Sequence, residues 1–446
     1  MSAGGDVLRE DGTRRVGTRR ADGTRRAGTR RADGTHRVVV TGVGAVSPAG
    51  VGAEALWEAL LEKRCCIAPI ERFDTAGYEV HVAGEVRGFE PCELGLTKKE
   101  ARRLDRFVQY AFVAADEAMA QAGVRMDEED AERFGCVFGT GIGGIDEIQR
   151  GFATLDAKGP KRVSPLFVPA MIGNIAAGNL AIRYGLRGEC LDVVTACATG
   201  AHSIGTALRD IRHGYLDAAL VGGTEEAVSP ICIAGFSNLG ALSKAADPTL
   251  ASLPFDARRG GFVAGEGAGA LVIESLEHAR ARGADVIAEI TGYGSTCDAY
   301  HMTAPDPQAA GVARAMRQAL AEGGFAPDDL GHLNAHGTAT PANDATEARA
   351  LALLCGERAA EVPVTSVKGS IGHALGAAGA LEAVVCALSV ARDVVPPTTG
   401  FAQADPACPV NVVREALHDR PQKVALSTSL GFGGHNAALA FSPYGG

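Results

Sequence analysis

Cys197 lies inside GECLDVVTACATGAHSIGTAL (188–208), where an apolar run at 191–194 passes through small residues into a helical pattern. A strand–turn–helix of this kind lifts a side chain above a sheet and sets it at a helix N-terminus. There the dipole favours a thiolate, and backbone N–H groups can face a developing oxyanion. Ala196, Ala198 and Gly200 leave room beside it for a substrate. A nucleophilic cysteine requires a base or an electrostatic partner, and NAHGTATPANDATEA (334–348) offers His336 flanked by glycine and threonines. VTSVKGSIGHALGAAGALEAV (364–384) offers Lys368 and His373 in a glycine-punctuated turn. A lysine beside a buried histidine holds its geometry and favours its neutral form. LSTSLGFGGHN (426–436) ends a β run in Gly431-Phe432-Gly433-Gly434, where backbone can approach a ligand closely. Local sequence leaves a second reading open for each: a packed core thiol, a satisfied histidine, an exposed lysine and a helix-capping histidine.

Such residues need a scaffold to bring them together. RVVVTGVGAVSPAG (37–50) reads as a buried strand ending in a turn, followed by a helix at 55–63, a long helix at 98–122, and strands at 132–140 and 217–223. This alternation predicts parallel sheets with helices on their faces. Val40-Thr41-Gly42-Val43-Gly44 is echoed by Ile290-Thr291-Gly292-Tyr293-Gly294, which hints at a duplicated αβ half. Residues 1–36 stand apart: DGTRRVGTRRA at 11–21 returns as DGTRRAGTRRA at 22–32, an arginine-rich leader with no apolar face, expected to be disordered.

The bulk of the 446-residue chain fits a globular enzyme. Its 58 glycines point to close packing and many tight turns, and its formal net charge of −10 argues against general nucleic-acid binding. The 11 cysteines fall in no metal-ligand spacing and read as reduced and buried. No apolar run approaches the roughly 20 residues of a membrane span, and the basic N-terminus lacks the apolar core of a secretory signal. A cytoplasmic protein is expected.

Together ACATGAH, HGTATP, VKGSIGHALGAAG, PFDARRGGFVAGEGAG (254–269) and GFGGHN resemble the β-ketoacyl-acyl-carrier-protein synthase family, of the chain-elongating synthase II type, from about Arg37 to Phe441. The resemblance implies a thiolase-like α/β fold of five layers, αβαβα, made of two similar halves, here 37–288 and 289–446. It implies that Cys197 accepts an acyl group from the phosphopantetheine of an acyl carrier protein, with the backbone N–H groups of Cys197 and Phe432 as oxyanion hole. His336 and His373 would hold the enolate left by malonyl decarboxylation, with Lys368 as electrostatic support. Thr303, Thr338 and Thr340 match pantetheine contacts, and Glu347 a structural carboxylate. Ile142, Phe167, Phe236, Leu430 and the gate-like Phe432 are expected along the acyl tunnel, Leu430 standing where the family often has Phe. Lys98, Lys99, Arg102, Arg103 and Arg106 form the expected patch for the acidic carrier. No metal or redox cofactor is implied, since decarboxylation drives the reaction and the electrophile is already a thioester. The expected partners are the carrier and a second subunit, either an identical copy or a homologous chain-length factor. Fatty-acid and type II polyketide pathways both stay open.

Two classes in the same fold fit less well. A thiolase would carry a second catalytic cysteine near the C-terminus, which GFGGHN lacks, and an initiating synthase would pair its cysteine with His and Asn. A non-catalytic subunit that only shapes the tunnel would lack the cysteine.

Overall fold

The computed structural model describes residues 28–445. Ten principal strands carry the architecture: β1 (Val38–Ser47), β2 (Phe134–Gly139), β3 (Cys190–Leu191), β4 (Ala218–Glu225) and β5 (Gly267–Ser275), then β6 (Ala288–Cys297), β7 (Leu330–Asn334), β8 (Pro363–Thr365), β9 (Val424–Gly431) and β10 (His435–Pro443). They run side by side in the order β3-β2-β4-β5-β1-β6-β10-β9-β7-β8. The second half of that order mirrors the first, strand for strand, so the two halves share one topology. Within each half the three outer strands are parallel and the inner ones antiparallel. The halves join where β1 meets β6, with Val38 opposite Ile290. The wholly parallel sheets expected from the alternation are therefore mixed. In the second half the cause is local: only Phe432, Gly433 and Gly434 separate β9 from β10, a connection that permits only an antiparallel return.

Helices complete five layers. Between the two halves of this sheet lie α2 (Thr199–Arg212) and α5 (Ala378–Arg392), packed through Ala201, Ile204, Leu208, Leu381 and Val384. The outer face of the first half is covered by α1 (Arg106–Ala122), with Phe107 and Ala111 against Phe134 and Phe138. On the second, α3 (Ala310–Gly323) and α4 (Pro341–Cys355) place Met316 and Leu351 against Leu333 and Leu426. Each fully buried aliphatic side chain contributes about 1.5–3 kcal/mol, so three apolar interfaces fix the strands that carry the site.

The glycine echo has a packing cause. A Cβ on Gly42 or Gly44 would come within 2.0 Å of the Ala118 or Ala114 carbonyl of α1. On Gly292 or Gly294 it would come within 1.9 Å of the Ala319 or Ala315 carbonyl of α3. Each half thus seats its outer helix directly on backbone at two glycines.

Several local expectations change. The helix over 98–122 is two helices, Lys98–Arg103 and Arg106–Ala122. Leu104 is extended between them, and the Gln109 amide donates to the Ala101 and Leu104 carbonyls, closing the first helix. The strand over 191–194 shortens to Cys190–Leu191, and Val194 is exposed, because it lies at the sheet's edge. Cys92, Cys190 and Cys297 are exposed rather than buried. Of the leader, residues 1–27 lie outside the described residues, but 28–36 are ordered. There the Arg31 and Gly34 N–H groups donate to Thr35 and Arg31 carbonyls, and the Arg31 guanidinium reaches the Thr291 carbonyl. One stretch, Leu375–Arg392, is long and apolar enough to cross a membrane, but it is 89% buried as the central layer.

Candidate active site

The two central helices meet at their N-terminal ends, and that contact assembles the site. A Cβ on Gly200 would lie 2.7 Å from the Ala380 nitrogen, and one on Gly379 2.7 Å from the Ala201 nitrogen. Glycine at both positions lets the helix ends touch. Cys197 sits on the short turn Ala196–Ala198 that enters α2, behind Ala196 at a left-handed φ of 50°. The turn Leu375–Ala377, two residues past His373, enters α5. A Cβ on Gly431 would lie 2.4 Å from the Thr195 carbonyl and 3.4 Å from the Cys197 nitrogen. The end of β9 therefore presses against the cysteine turn, which brings the backbone of Phe432 beside it.

His336 follows the end of β7, and its N–H and that of Gly337 donate to the two oxygens of Glu347 at 2.8 and 2.7 Å. Glu347 is thus a clamp behind the loop. His373 is anchored by its N–H to the Val263 carbonyl at 2.7 Å. The two imidazoles stand edge to face, centroids 5.0 Å apart, and one donor atom each from Cys197, His336 and His373 lie within 4.8 Å of one another. Lys368, fully buried, reaches His336 Nδ1 at 3.3 Å and forms an ion pair with buried Glu382. The Leu375 N–H donates to His373 Nδ1 at 3.3 Å. Since Nδ1 accepts in both rings, Nε2 carries the proton in both.

Electrostatics agree with that tautomer. Burial first, then Lys368, holds both histidines well below the ordinary value of 6.5. They are neutral rings offering N–H donors. By residue type the thiol and two imidazoles could ligate a soft cation, but Nε2–H groups present hydrogens rather than lone pairs. Cys197 departs from the sequence expectation: burial pushes its thiol up to about 12, Lys368 pulling down and Glu225 and Glu382 pushing up. Desolvation outweighs the helix N-terminus, and the resting group is a thiol.

A cavity of about 430 Å³ opens on this cluster, lined by Cys197, His336, His373, Thr303, Thr338 and Thr340, with Ile142, Phe236, Leu430 and Phe432 among its apolar walls. Lys368 stands behind His336 and off the lining. Phe167 is not in the wall; its ring packs on Gly151, where the missing Cβ makes the space. In the basic patch Lys98, Lys99, Arg102 and Arg103 are exposed. Arg106 instead is half-buried and interacts with Tyr110 and Glu266, which sets it apart from the four exposed cations. The sequence reading missed Glu225 and Glu382. Glu225 accepts from the Thr140 hydroxyl and from the Gly141, Ile142 and Gly376 N–H groups, tying the loop at 140–142 to the turn before α5. Burial pushes Glu225 up to about 7. Its signal was the acidic pair closing the apolar strand ALVGGTEE; Glu382 inside an apolar helix was the other.

Residues 35–279 match the family profile "Beta-ketoacyl synthase, N-terminal domain" and 287–402 match "Beta-ketoacyl synthase, C-terminal domain". The chain is 47% identical over 408 residues to 3-oxoacyl-[acyl-carrier-protein] synthase 2 of Staphylococcus aureus strain COL, covering 92% of this chain and 98% of that one. Among solved structures it superposes with a TM-score of 0.85 and 32% identity on a type II polyketide ketosynthase in complex with its acyl-carrier protein and bound to the hexaketide. It matches the ishigamide ketosynthase/chain length factor with a TM-score of 0.85 and 37% identity. Both superpositions cover 92% of this chain and 100% of the other.

Proposed function

Because the chain belongs to the beta-ketoacyl synthase family, both of whose domains it carries in order, we propose that it lengthens carrier-bound acyl chains by decarboxylative Claisen condensation with Cys197 as nucleophile. The observation that carries this reading is the convergence of one thiol and two Nε2–H donors at one cavity wall. The Cys197 sulfur takes the acyl group from its carrier thioester, and the thiol proton leaves with the released carrier thiol. Malonyl carrier then loses carbon dioxide, and its electron pair becomes an enolate whose oxygen the Nε2–H groups of His336 and His373 hold. The enolate carbon attacks the Cys197 thioester; the backbone N–H groups of Cys197 and Phe432 hold the resulting oxyanion until the cysteine departs as a thiolate, which takes one proton from solvent to return to the resting thiol. As balanced, this needs no metal or redox cofactor. Thr303, Thr338 and Thr340 hold the pantetheine arm, and Ile142, Phe236, Leu430 and Phe432 bound the acyl chain.

His336→Ala and His373→Ala are each expected to lower malonyl decarboxylation by on the order of a hundredfold or more. Depressed histidine pKa values keep the neutral donors intact to lower pH, so the wild-type decarboxylation rate is expected to stay level as pH falls from about 8 to about 6. A carbon dioxide release assay that shows half-loss near 6.5 would refute neutral donors.

Lys99→Glu with Arg103→Glu is expected to raise KM for carrier-bound substrate several-fold at low salt, the effect fading as salt rises. An unchanged KM rejects this patch. The protein is proposed to act in the cytoplasm, in fatty-acid or type II polyketide assembly. A heterodimer with a chain-length factor is the second reading, supported by similarity to the ishigamide complex. Exposed Phe152, Val168 and Ile182 on adjoining helices support a dimer in either case. Intact-protein mass spectrometry against a panel of acyl carriers tests the whole reading: an acyl adduct that maps anywhere but Cys197 sinks it.

A further inference from the structure

Asn343 stands in the first turn of α4, 7% exposed, on the cavity wall that also carries Thr338 and Thr340. Its amide nitrogen donates to Asp344 Oδ1 at 3.1 Å and to Glu347 Oε2 at 2.9 Å. Glu347 already accepts from the His336 and Gly337 N–H groups and from the Thr428 hydroxyl, so it faces the amide as an acceptor. Asp344 is likewise fixed by the Phe255 N–H at 2.7 Å. A flipped amide would set its oxygen against the oxygen of Glu347, which three other donors already hold as an acceptor, and this sets the orientation. Both amide hydrogens are consumed inside the protein, and Oδ1 is left as an acceptor on a cavity-lining residue. Among the described residues no hydrogen bond reaches it.

The neighbouring threonines supply the complement. Thr338 Oγ1 and Thr340 Oγ1 lie 2.9 Å apart, so one hydroxyl donates to the other and a single O–H stays free. One free donor and one fixed acceptor on the same wall match a secondary amide, which presents one carbonyl oxygen and one N–H. A phosphopantetheine arm contains two such amides; a plain acyl chain contains none.

We propose that Asn343 Oδ1 accepts an amide N–H of the substrate's pantetheine arm, held in register by the carboxylates of Asp344 and Glu347. This contact rests on the condensing-enzyme reading above. It makes Asn343 a recognition residue, one that tells amide-bearing thioesters from simple ones through KM.

The test pairs substrate and protein changes. Acylation of Cys197 is measured with acyl-pantetheine and with two analogues, each carrying an ester oxygen in place of one amide N–H, on the wild type and on Asn343→Ala. The wild type is expected to lose about tenfold in kcat/KM, mainly in KM, on one of the two analogues. On that analogue Asn343→Ala is expected to show little further loss, giving a coupling of about tenfold. Losses that simply multiply would mean that Asn343 only braces Glu347, and the contact is overturned. Wild-type indifference to both analogues overturns it without any variant, so a misfolded alanine protein cannot shelter it. Failure of the parent acyl-pantetheine to acylate wild-type Cys197 would sink the condensing reading itself, an outcome distinct from both.

Discussion

Cys197→Ala is expected to abolish acyl loading and to lower condensation by on the order of a thousandfold or more. The side chain is 8% exposed and loses only its sulfur, so the protein should fold. His336, His373 and Lys368 keep their contacts, because none of their hydrogen bonds runs to the sulfur. Decarboxylation of malonyl carrier should therefore survive in the variant, with a proton quenching the enolate that has no thioester to attack. Intact mass spectrometry reads the missing adduct and carbon dioxide release reads the surviving half-reaction. Extension of acyl chains by this variant would overturn the nucleophile assignment. Loss of decarboxylation along with extension would mean that the two half-reactions are not separable in the way the geometry implies.

Lys368→Met is expected to damage stability and rate together. Glu382 is 0% exposed and relies on Lys368 as its cationic partner, the Ser429 hydroxyl at 3.3 Å being its other side-chain donor among the described residues. Removing one member of a buried pair costs about 3–5 kcal/mol. The cost depends on pH with a definite sign. Burial raises Glu382 to about 7 even with Lys368 opposing the shift. Without the lysine it rises further, so the carboxyl is protonated and tolerated at pH 6 and increasingly penalised as pH climbs through 7 to 8. Denaturant unfolding at the two pH values should show the larger loss at pH 8; equal losses would refute the pairing argument. Lys368→Met with Glu382→Gln should recover stability without recovering rate. His336 would still lack the donor that keeps Nδ1 occupied and the proton on Nε2.

The layered α/β fold was legible because its signals are local and periodic. The apolar strands and small-residue helices report burial directly, and the two Thr-Gly-x-Gly runs report backbone contact that no side chain could tolerate. Sheet direction was less legible, since alternation of strand and helix does not state which way a strand is entered. The break at Leu104 was hidden because its stabilising group, the Gln109 amide, acts from the following helix. Phe167 and Arg106 misled for the same reason: a side chain's type says what it can do, whereas neighbours such as Gly151 and Tyr110 decide where it points.

By itself the sequence determined the chemistry on offer: a cysteine entering a helix, two histidines and a lysine in glycine-rich turns, and five ordered motifs that name a family. Only the tertiary structure decided how that chemistry is poised. The Gly200 and Gly379 contact brings residues from both halves to one cavity, and the Leu375 N–H and Lys368 choose the tautomers. Burial keeps Cys197 a thiol against the pull of its helix. These outcomes depend on distance and desolvation between segments far apart in the chain, quantities that no local pattern encodes.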